Sequence, residues 1–200
     1  MTLTIVLVAY LLGSLSFAVI VSRLWRLPDP RTYGSGNPGA TNVLRSGRKS
    51  AAIATLFGDA MKGWLGVYAA QRIAGAHDLT AMALAAFVVV VGHMYPVFFR
   101  FHGGKGVATA LGALLALNPY LGAGTLATWL IIAAFFHISS LAALVAAVFA
   151  PFFAFLLYNA AHPYFTAVTA MCVLLIWRHR GNIRNLLAGT ESRIGTSREG

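Results

Sequence analysis

Long apolar stretches separated by short polar connections recur along the whole chain. Seven of them are long enough, or nearly long enough, to cross about 30 Å of hydrocarbon as an α-helix. They are Leu3–Leu24, Ala51–Ile73, Leu79–Phe98, Gly106–Leu117, Tyr120–Phe136, Leu141–Tyr158 and Pro163–Trp177. The pattern predicts an all-α polytopic membrane protein with seven transmembrane helices, folded as a single integral membrane domain over residues 1–200.

The fourth stretch is short for a span. Residues Gly106–Leu117 reach only about 18 Å at 1.5 Å per residue. We therefore expect this helix to tilt into a thinned region, or the loop before it to enter the bilayer as a re-entrant segment near the cytoplasmic face.

Lys and Arg are concentrated in alternate connections, which sets the orientation because cytoplasmic loops carry the excess of basic residues. The connections around 75–78, 118–119 and 159–162 contain neither residue. The basic residues assigned to the inside are Arg23, Arg26, Arg31, Arg45, Arg48, Lys49, Arg100, Lys105, Arg178, Arg180, Arg184, Arg193 and Arg198. The N-terminus is therefore predicted outside and the C-terminus in the cytoplasm. No basic residue precedes Arg23, so we expect the first stretch to remain as a helix rather than to be cleaved as a signal peptide.

Composition agrees with a membrane protein. Hydrophobic residues make up 58% of the chain and charged residues 10%, against about a quarter charged in soluble domains. A soluble globule is thereby excluded. The net charge of +10 favours anionic ligands beside the lipid bilayer, and we expect no nucleic-acid partner. The single cysteine, Cys172, lies in an apolar stretch, which argues against disulfides, thiolate metal sites and redox chemistry.

The first candidate segment is the glycine-rich run 34–45. Glycines let backbone N–H groups turn toward an anion. Neutral donors and one planar guanidinium accompany them: Ser35, Asn37, Thr41, Asn42 and Arg45. The run predicts a phosphate cradle, with an ordinary turn between helices as the alternative. Residues 34–39 also match G-x-G-x-x-G, but they follow a membrane helix rather than a strand, so we reject a dinucleotide site.

The second segment, residues 92–109, leads into the short fourth helix. It places Lys105 at a helix N-terminus, where unpaired N–H groups and the helix dipole favour an anion. Glycines at 103, 104 and 106 permit a close approach. The alternative is that Lys105 and Arg100 only anchor helix ends at the lipid headgroups. The spacing does not fit a Walker loop.

The third segment, residues 179–191, follows the last span. Ile183, Leu186 and Leu187 are spaced for one helix face, which predicts a short interfacial helix. A basic tail set by topology alone is the alternative.

Two opposite charges lie within the second span. Asp59 and Lys62 are three residues apart and share a helix face. Charges inside a span are functional candidates by default. Here we favour a structural ion pair that locks the helices over a direct substrate contact.

Several kinds of catalytic site are not supported by the sequence. The candidate carboxylates on or near the inner face are Asp59 and Glu191, too few to supply the ligands of a two-metal phosphoryl site. No histidine has an aspartate five positions later. There is no obvious activated nucleophile either, since Cys172 lies mid-span and Ser35 has no adjacent base in the sequence. We expect neither a metal nor a cofactor.

In these runs the chain resembles the bacterial acyl-phosphate:glycerol-3-phosphate acyltransferases, the PlsY family, over nearly its whole length. The match is specific in 34–45, in Asp59-x-x-Lys62-Gly63 and in 92–109, and looser in the tail. The family usually has a basic residue just before the paired leucines. This chain has Arg184 followed by Asn185 there, so no role is carried over to Arg184.

The resemblance implies transfer of a fatty acyl group from acyl phosphate to the 1-hydroxyl of glycerol 3-phosphate, giving lysophosphatidic acid and inorganic phosphate. This would be the first step of bacterial phospholipid synthesis, at the cytoplasmic face of the inner membrane. A soluble enzyme that makes the acyl phosphate is implied as a functional partner.

The resemblance also implies roles for individual residues. The implied catalytic residues are Lys105, Ser35, Arg45, His179 and Asn182. The resemblance implies that Ser35, Arg45 and the other donors of the first run bind phosphate. It implies that Lys105 and the amides of its neighbouring glycines bind a second phosphate or stabilise the charge that develops during the reaction. Glu191 is a candidate for orienting a basic residue or the glycerol hydroxyls. The implied substrate-binding residues are Gly34, Gly36, Asn37, Gly39, Ala40, Thr41, Asn42, Asp59, Lys62, His93, Gly103, Gly104, Gly106, Thr109 and Glu191.

Two points stay open at this stage. The proton acceptor is either the donor's own phosphate or His179, whose ordinary pKa of about 6.5 suits a general base. A phosphate-ester or anion transporter would use the same cations, although the sequence shows no pair of related halves with broken helices. A structural scaffold does not account for three glycine-rich basic loops on one side.

Overall fold

The computed structural model describes residues 1–194. Arg198, one of the predicted inner basic residues, lies outside this range. The described chain contains ten α-helices: α1 Thr2–Gly13, α2 Phe17–Leu24, α3 Ala40–Leu44, α4 Lys49–Ala74, α5 Leu79–Met94, α6 Val107–Leu117, α7 Pro119–Phe136, α8 Ser139–Tyr158, α9 Pro163–Arg178 and α10 Arg180–Leu187. A 3-10 turn, Val97–Phe99, follows α5. The fold is all-helical, as predicted.

The first predicted span is not one continuous helix. It is broken between α1 and α2, which meet at 41°. Two residues from other parts of the chain form hydrogen bonds at this break. Lys62 Nζ donates to the Leu15 carbonyl at 2.5 Å, and the Val97 amide donates to Ser14 Oγ at 3.3 Å. The hydrophobic pattern carries no sign of this break, because the partners that stabilise it come from distant parts of the chain.

The candidate third span runs from Leu79 to Phe99, but its α-helix ends four residues before the predicted Phe98. Pro96 biases the residue before it away from helical angles, and Tyr95 has φ −130° and ψ 65°. Helix α5 therefore stops at Met94, and the chain continues into the 3-10 turn and the loop 100–106. The Tyr10 hydroxyl donates to the Tyr95 carbonyl at 2.7 Å, which ties the start of this loop to α1.

Three helices within the described residues are long and apolar enough to cross a membrane, and a fourth if the bent pair α1–α2 counts as one span. Two shorter apolar helices, α6 and α9, accompany them. Helix α4 has 26 residues, or about 39 Å at 1.5 Å per residue. The number of crossings therefore stays a prediction.

Side-chain caps mark the starts of α5, α7 and α9, the ends predicted to lie outside. Asp78 accepts from the Ala81 amide, Asn118 from the Tyr120 and Leu121 amides, and His162 from the Tyr164 amide. Proline follows at the first position of α7 and of α9, where a missing N–H costs nothing. These local signals explain why both helices begin where the sequence predicts.

Glycines bring the central helices into close contact. A side chain on Gly13 or Gly92 would collide with the backbone of the facing helix in the α1–α5 pair. A side chain on Gly112 would collide with the Ala60 carbonyl, and one on Gly63 with that of Thr109, both between α4 and α6. Small residues at such crossings allow backbone approach, as is common between membrane helices.

Replacing Gly112 by valine should destabilise the protein by at least about 1–3 kcal/mol, because the added side chain forces α4 and α6 apart. The measurement is the apparent Tm of the detergent-purified protein. Gly181→Val is the matched control, since nothing lies within 4 Å of a side chain at that position. An unchanged Tm for Gly112→Val would show that the α4–α6 contact is looser than described.

Candidate active site

The three glycine-rich or basic segments gather at one end of the bundle, as their predicted common side requires. The first loop is shaped by Asn42. Its Oδ1 accepts from the Ser35 amide at 3.0 Å, and its Nδ2 donates to the Pro30 and Tyr33 carbonyls at 2.7 and 3.2 Å. Gly34 and Gly36 have φ of 59° and 67°, the left-handed region that favours glycine.

Asn42, for which the resemblance implies phosphate binding, is 2% exposed, and its side chain bonds the loop backbone. Asn42 therefore folds the loop and holds Ser35 at the exposed tip. Asn37 lies near Ser35 in the sequence and is half-buried. The backbone N–H of Asn37 donates a long hydrogen bond to Ser35 Oγ at 3.4 Å.

Helix α3 carries two of the predicted residues toward other parts of the chain. Gly39 is its extended N-cap and Ala40 its first residue. Thr41 Oγ1 lies 3.1 Å from Ser139 Oγ at the start of α8. Arg45 Nη2 donates to Ser192 Oγ at 2.5 Å. The first segment thus meets both α8 and the tail.

Lys105 links the second and third segments. Its Nζ donates to Asn182 Oδ1, and Asn182 Nδ2 donates to Glu191 Oε1 at 2.6 Å. The same carboxylate oxygen accepts from Ser140 Oγ at 2.7 Å. Burial lowers the pKa of Lys105, Glu191 raises it, and Arg178 and Arg45 lower it further. The second and third segments are therefore joined through one cation, one amide and one carboxylate.

His179 lies at the junction of α9 and α10. Its Nδ1 is 2.8 Å from the Leu175 carbonyl, which can only accept, so the proton of the neutral ring is assigned to Nδ1. Burial lowers the pKa of His179 to about 4. The bond to Leu175 opposes this shift, and the charges of Lys105 and Arg178 lower the pKa further. The ring is neutral at physiological pH, with Nε2 as its unprotonated nitrogen.

The loop before α6 is held on two sides. Arg178 Nη2 donates to the carbonyls of Gly103 and Gly104 at 3.0 and 3.2 Å. The Gly104 amide donates to the His93 carbonyl at 3.2 Å, and a side chain on Gly104 would collide with the His93 ring. Gly106 has φ 85°.

The resemblance implies that the amides of Gly103, Gly104 and Gly106 bind an anion with Lys105, and this stays a prediction. The Gly104 amide donates inside the protein, because the loop is packed against the end of α5. Glycine at 104 is needed for that close packing.

Asp59, Lys62, His93 and Thr109 form a buried cluster below the loop. The Asp59 carboxylate is 2.7 Å from Lys62 Nζ and 3.5 Å from His93 Nδ1. His93 Nδ1 is also 3.2 Å from Thr109 Oγ1. All four residues are at most 7% exposed. Each of the four side chains has a partner within the protein, which favours the structural ion pair. The substrate binding that the resemblance implies for them stays a prediction.

Sequence reasoning missed four residues at this end of the bundle. Ser139 and Ser140 begin α8, and Ser192 lies in the tail. Arg178 was used in the sequence analysis only as a basic residue that sets the membrane orientation. Isolated serines carry no local pattern, and their contacts join residues 51 to 147 positions apart. Within residues 1–194, no three His, Cys, Asp or Glu side chains are grouped to hold a metal ion.

Comparison with known proteins identifies the family of this chain. Residues 3–189 match the family model described as glycerol-3-phosphate acyltransferase. The chain belongs to this family. The glycerol-3-phosphate acyltransferase of Burkholderia multivorans is 64% identical over 96% of this chain and 91% of its own length. That of Ralstonia nicotianae is 62% identical over 99% of this chain and 96% of its own length.

Solved structures of the family share the fold. The crystal structure of PlsY (YgiH), an integral membrane glycerol 3-phosphate acyltransferase, in its glycerol 3-phosphate form matches with a TM-score of 0.90 and 39% identity, covering 98% of this chain and 96% of that chain. The lysophosphatidic acid form matches with a TM-score of 0.88 and 38% identity, covering 96% and 94%. The chain is thus an all-helical integral membrane protein of this family.

The buried cluster gives a stability prediction. Lys62→Met or Asp59→Asn alone should destabilise the fold by about 3–5 kcal/mol, because each leaves an unpaired polar or charged group in the bundle. The double variant should be less destabilised than either single one, since no uncompensated charge remains. Thermal unfolding in detergent measures this, and additive losses would contradict the ion pair.

Proposed function

We propose that this protein transfers a fatty acyl group from acyl phosphate to the 1-hydroxyl of glycerol 3-phosphate, forming lysophosphatidic acid and inorganic phosphate. The observation that carries the proposal is the hydrogen-bonded chain from Lys105 through Asn182 to Glu191 and Ser140. It places a cation for phosphate beside oxygen acceptors for hydroxyl groups. Family membership supplies the reaction type.

The chemistry follows from the substrates. The acceptor hydroxyl attacks the acyl carbonyl carbon, the new ester C–O bond forms, and the C–O bond to phosphate breaks. Phosphate leaves with the electron pair and finally carries the hydroxyl proton. Acyl phosphate is a mixed anhydride with a good leaving group, so positioning and charge stabilisation supply most of the catalysis.

We assign the acceptor to the side of Lys105 that faces α3, α8 and the tail. The assignment is supported by the residue types that surround it. Arg45 and Lys105 can bind the phosphate of glycerol 3-phosphate. Glu191 and Ser140 can bond the glycerol hydroxyls and point the reacting oxygen at the donor.

The proton acceptor in this proposal is the donor's own phosphate. The lowered pKa of His179, about 4, makes its imidazole a weak base, since an efficient base has a pKa near the working pH. His179 then serves as a neutral, positioned group next to Asn182.

The membrane arrangement belongs to the same proposal. Seven crossings, an outer N-terminus and a cytoplasmic C-terminus put the site on the cytoplasmic face of the bacterial inner membrane, in one domain over residues 1–200. A soluble enzyme would supply acyl phosphate from that side. Transport is not favoured, because the relatives reported above are named acyltransferases.

The reaction itself is tested with detergent-purified protein, glycerol 3-phosphate and palmitoyl phosphate, without metal or CoA. Lysophosphatidate and acceptor-dependent phosphate should form in equal amounts. Movement of labelled glycerol 3-phosphate across proteoliposome membranes without either product would favour a transporter.

Lys105→Ala should lose about 2–4 kcal/mol of transition-state binding, because it removes a charge-assisted contact. At 1.36 kcal/mol per factor of ten, kcat/KM should fall roughly 30- to 1,000-fold. Lys49→Ala, at the exposed start of α4, is the matched control. Unchanged kcat/KM in a folded Lys105→Ala protein would refute the assigned role.

His179→Gln should keep kcat within about tenfold, whereas loss of a general base costs roughly 10²–10⁴-fold. Because His179 is neutral above a pKa of about 4, it does not titrate between about pH 5.5 and 8. The pH–rate profile of the variant should therefore keep its shape in this window. Disappearance of a limb near pH 6.5 would identify His179 as the base.

A further inference from the structure

Helix α10 belongs to the candidate active site through one of its faces. On that face Asn182 accepts a hydrogen bond from Lys105 Nζ and donates one to Glu191 Oε1. Leu186, one turn later, and the neighbouring Ile183 are half-buried. The position of α10 therefore decides whether Lys105 keeps its amide partner.

The other face of α10 is exposed and carries two cations. Arg180 and Arg184 are one helical turn apart, and both are exposed. Leu187 is 85% exposed. The Arg180 guanidinium lies 4.3 Å from the ring centroid of Trp177, an exposed residue near the end of α9. We call Trp177, Arg180, Arg184 and Leu187 together the exposed face of α10.

The protein supplies no counter-charge at this face. Residues 177–190 contain no acidic residue. In the part of the chain that the structure describes, no carboxylate lies within ion-pair distance of Arg180 or Arg184. Two like charges four residues apart destabilise a helix. An anion bound at the exposed face relieves this repulsion.

Helix α10 also depends on contacts outside itself. It has eight residues, and none of them is fully buried. Isolated helices of this length are marginal in water. The surface that the exposed face contacts therefore contributes to the stability of the helix.

A membrane surface matches the exposed face in charge and in polarity. Tryptophan and arginine at the end of an apolar helix are typical of the membrane–water interface. A helix that combines basic and large apolar side chains lies in the plane of that interface. The cytoplasmic leaflet is negatively charged and attracts basic segments that follow a span. The matching occupant is a layer of anionic phospholipid headgroups.

We propose that the exposed face of α10 docks on anionic phospholipids of the cytoplasmic leaflet, and that this docking holds Asn182 against Lys105. The inference rests on the proposed function, which gives the orientation, and it adds a lipid partner that controls the same site. The two guanidinium groups bind lipid phosphates, while Leu187 and Trp177 contact the boundary of the acyl chains. Activity then depends on the charge of the membrane.

The lipid dependence is tested in nanodiscs that each hold one protein molecule. The lipid is phosphatidylcholine alone or an equal mixture with phosphatidylglycerol. Each arginine near an anionic surface favours docking roughly fivefold. The kcat/KM for glycerol 3-phosphate should therefore be roughly 5- to 25-fold higher in the mixture. An anionic surface repels both anionic substrates and by itself lowers the rate, so a rise must come from the protein. Equal or lower kcat/KM in the mixture would overturn the inference.

The residues are tested with the double variant Arg180→Gln/Arg184→Gln, which should lose the rise in the mixed lipid. Arg48→Gln/Lys49→Gln is the matched control, because it removes two exposed cations at the start of α4 and should keep the rise. If the rise persists without Arg180 and Arg184, lipid acts elsewhere on the protein and the inference is wrong.

A docking readout separates this inference from the proposed reaction. A nitroxide attached at Gly181→Cys has open space around it, since nothing lies within 4 Å of a side chain there, and Cys172 is buried. Its motion, measured by electron paramagnetic resonance, should slow in the mixed lipid but not in phosphatidylcholine. Arg180→Gln/Arg184→Gln should abolish the slowing.

The outcomes of this measurement are distinct. If the nitroxide slows while no lysophosphatidate forms in either lipid, the reaction is wrong and the docking stands. If it slows only in protein-dense vesicles and not in single-protein nanodiscs, the exposed face binds a second copy of the chain and the inference is overturned. Equal motion in both lipids also overturns it.

Discussion

The Lys105 ammonium group is largely removed from bulk water at one end of a hydrophobic helix bundle. Burial disfavours its ammonium form, and the two nearby arginines add to the penalty. Asn182 and Glu191 oppose it, one by accepting a hydrogen bond and the other by its negative charge. This balance leaves a cation short of a full counter-ion. In general, a partly desolvated ammonium group attracts an anion more strongly than a fully solvated one does.

Holding that cation in place depends on close backbone packing. Arg178 bonds the carbonyls of Gly103 and Gly104 from one side, and His93 packs against Gly104 from the other. The loop is thus clamped between α5 and α9 immediately before Lys105. Gly104 beside Lys105 therefore serves the packing of this loop.

The buried charges below the loop connect it to the rest of the bundle. Lys62 bonds both Asp59 and the Leu15 carbonyl at the break between α1 and α2. Asp59 in turn faces His93, whose backbone and ring contact Gly104. A break in the first span, an ion pair in α4 and the loop before α6 are therefore connected by hydrogen bonds, ion-pair contacts and close packing. The cost of burying these charges is offset only because each has a partner.

The sequence by itself determined the helical fold class, most helix boundaries and the three segments that meet at one end of the bundle, because each has a local signal. Apolar length, Asn–Pro caps and glycine clusters act within a few residues. The break after Gly13, the internal bonding of Asn42 and of the Gly104 amide, and the partnership of Arg45 with Ser192 depend on residues far apart in the chain. Only the tertiary structure decided these features, since a carbonyl, amide or guanidinium has many possible partners until packing leaves one within reach.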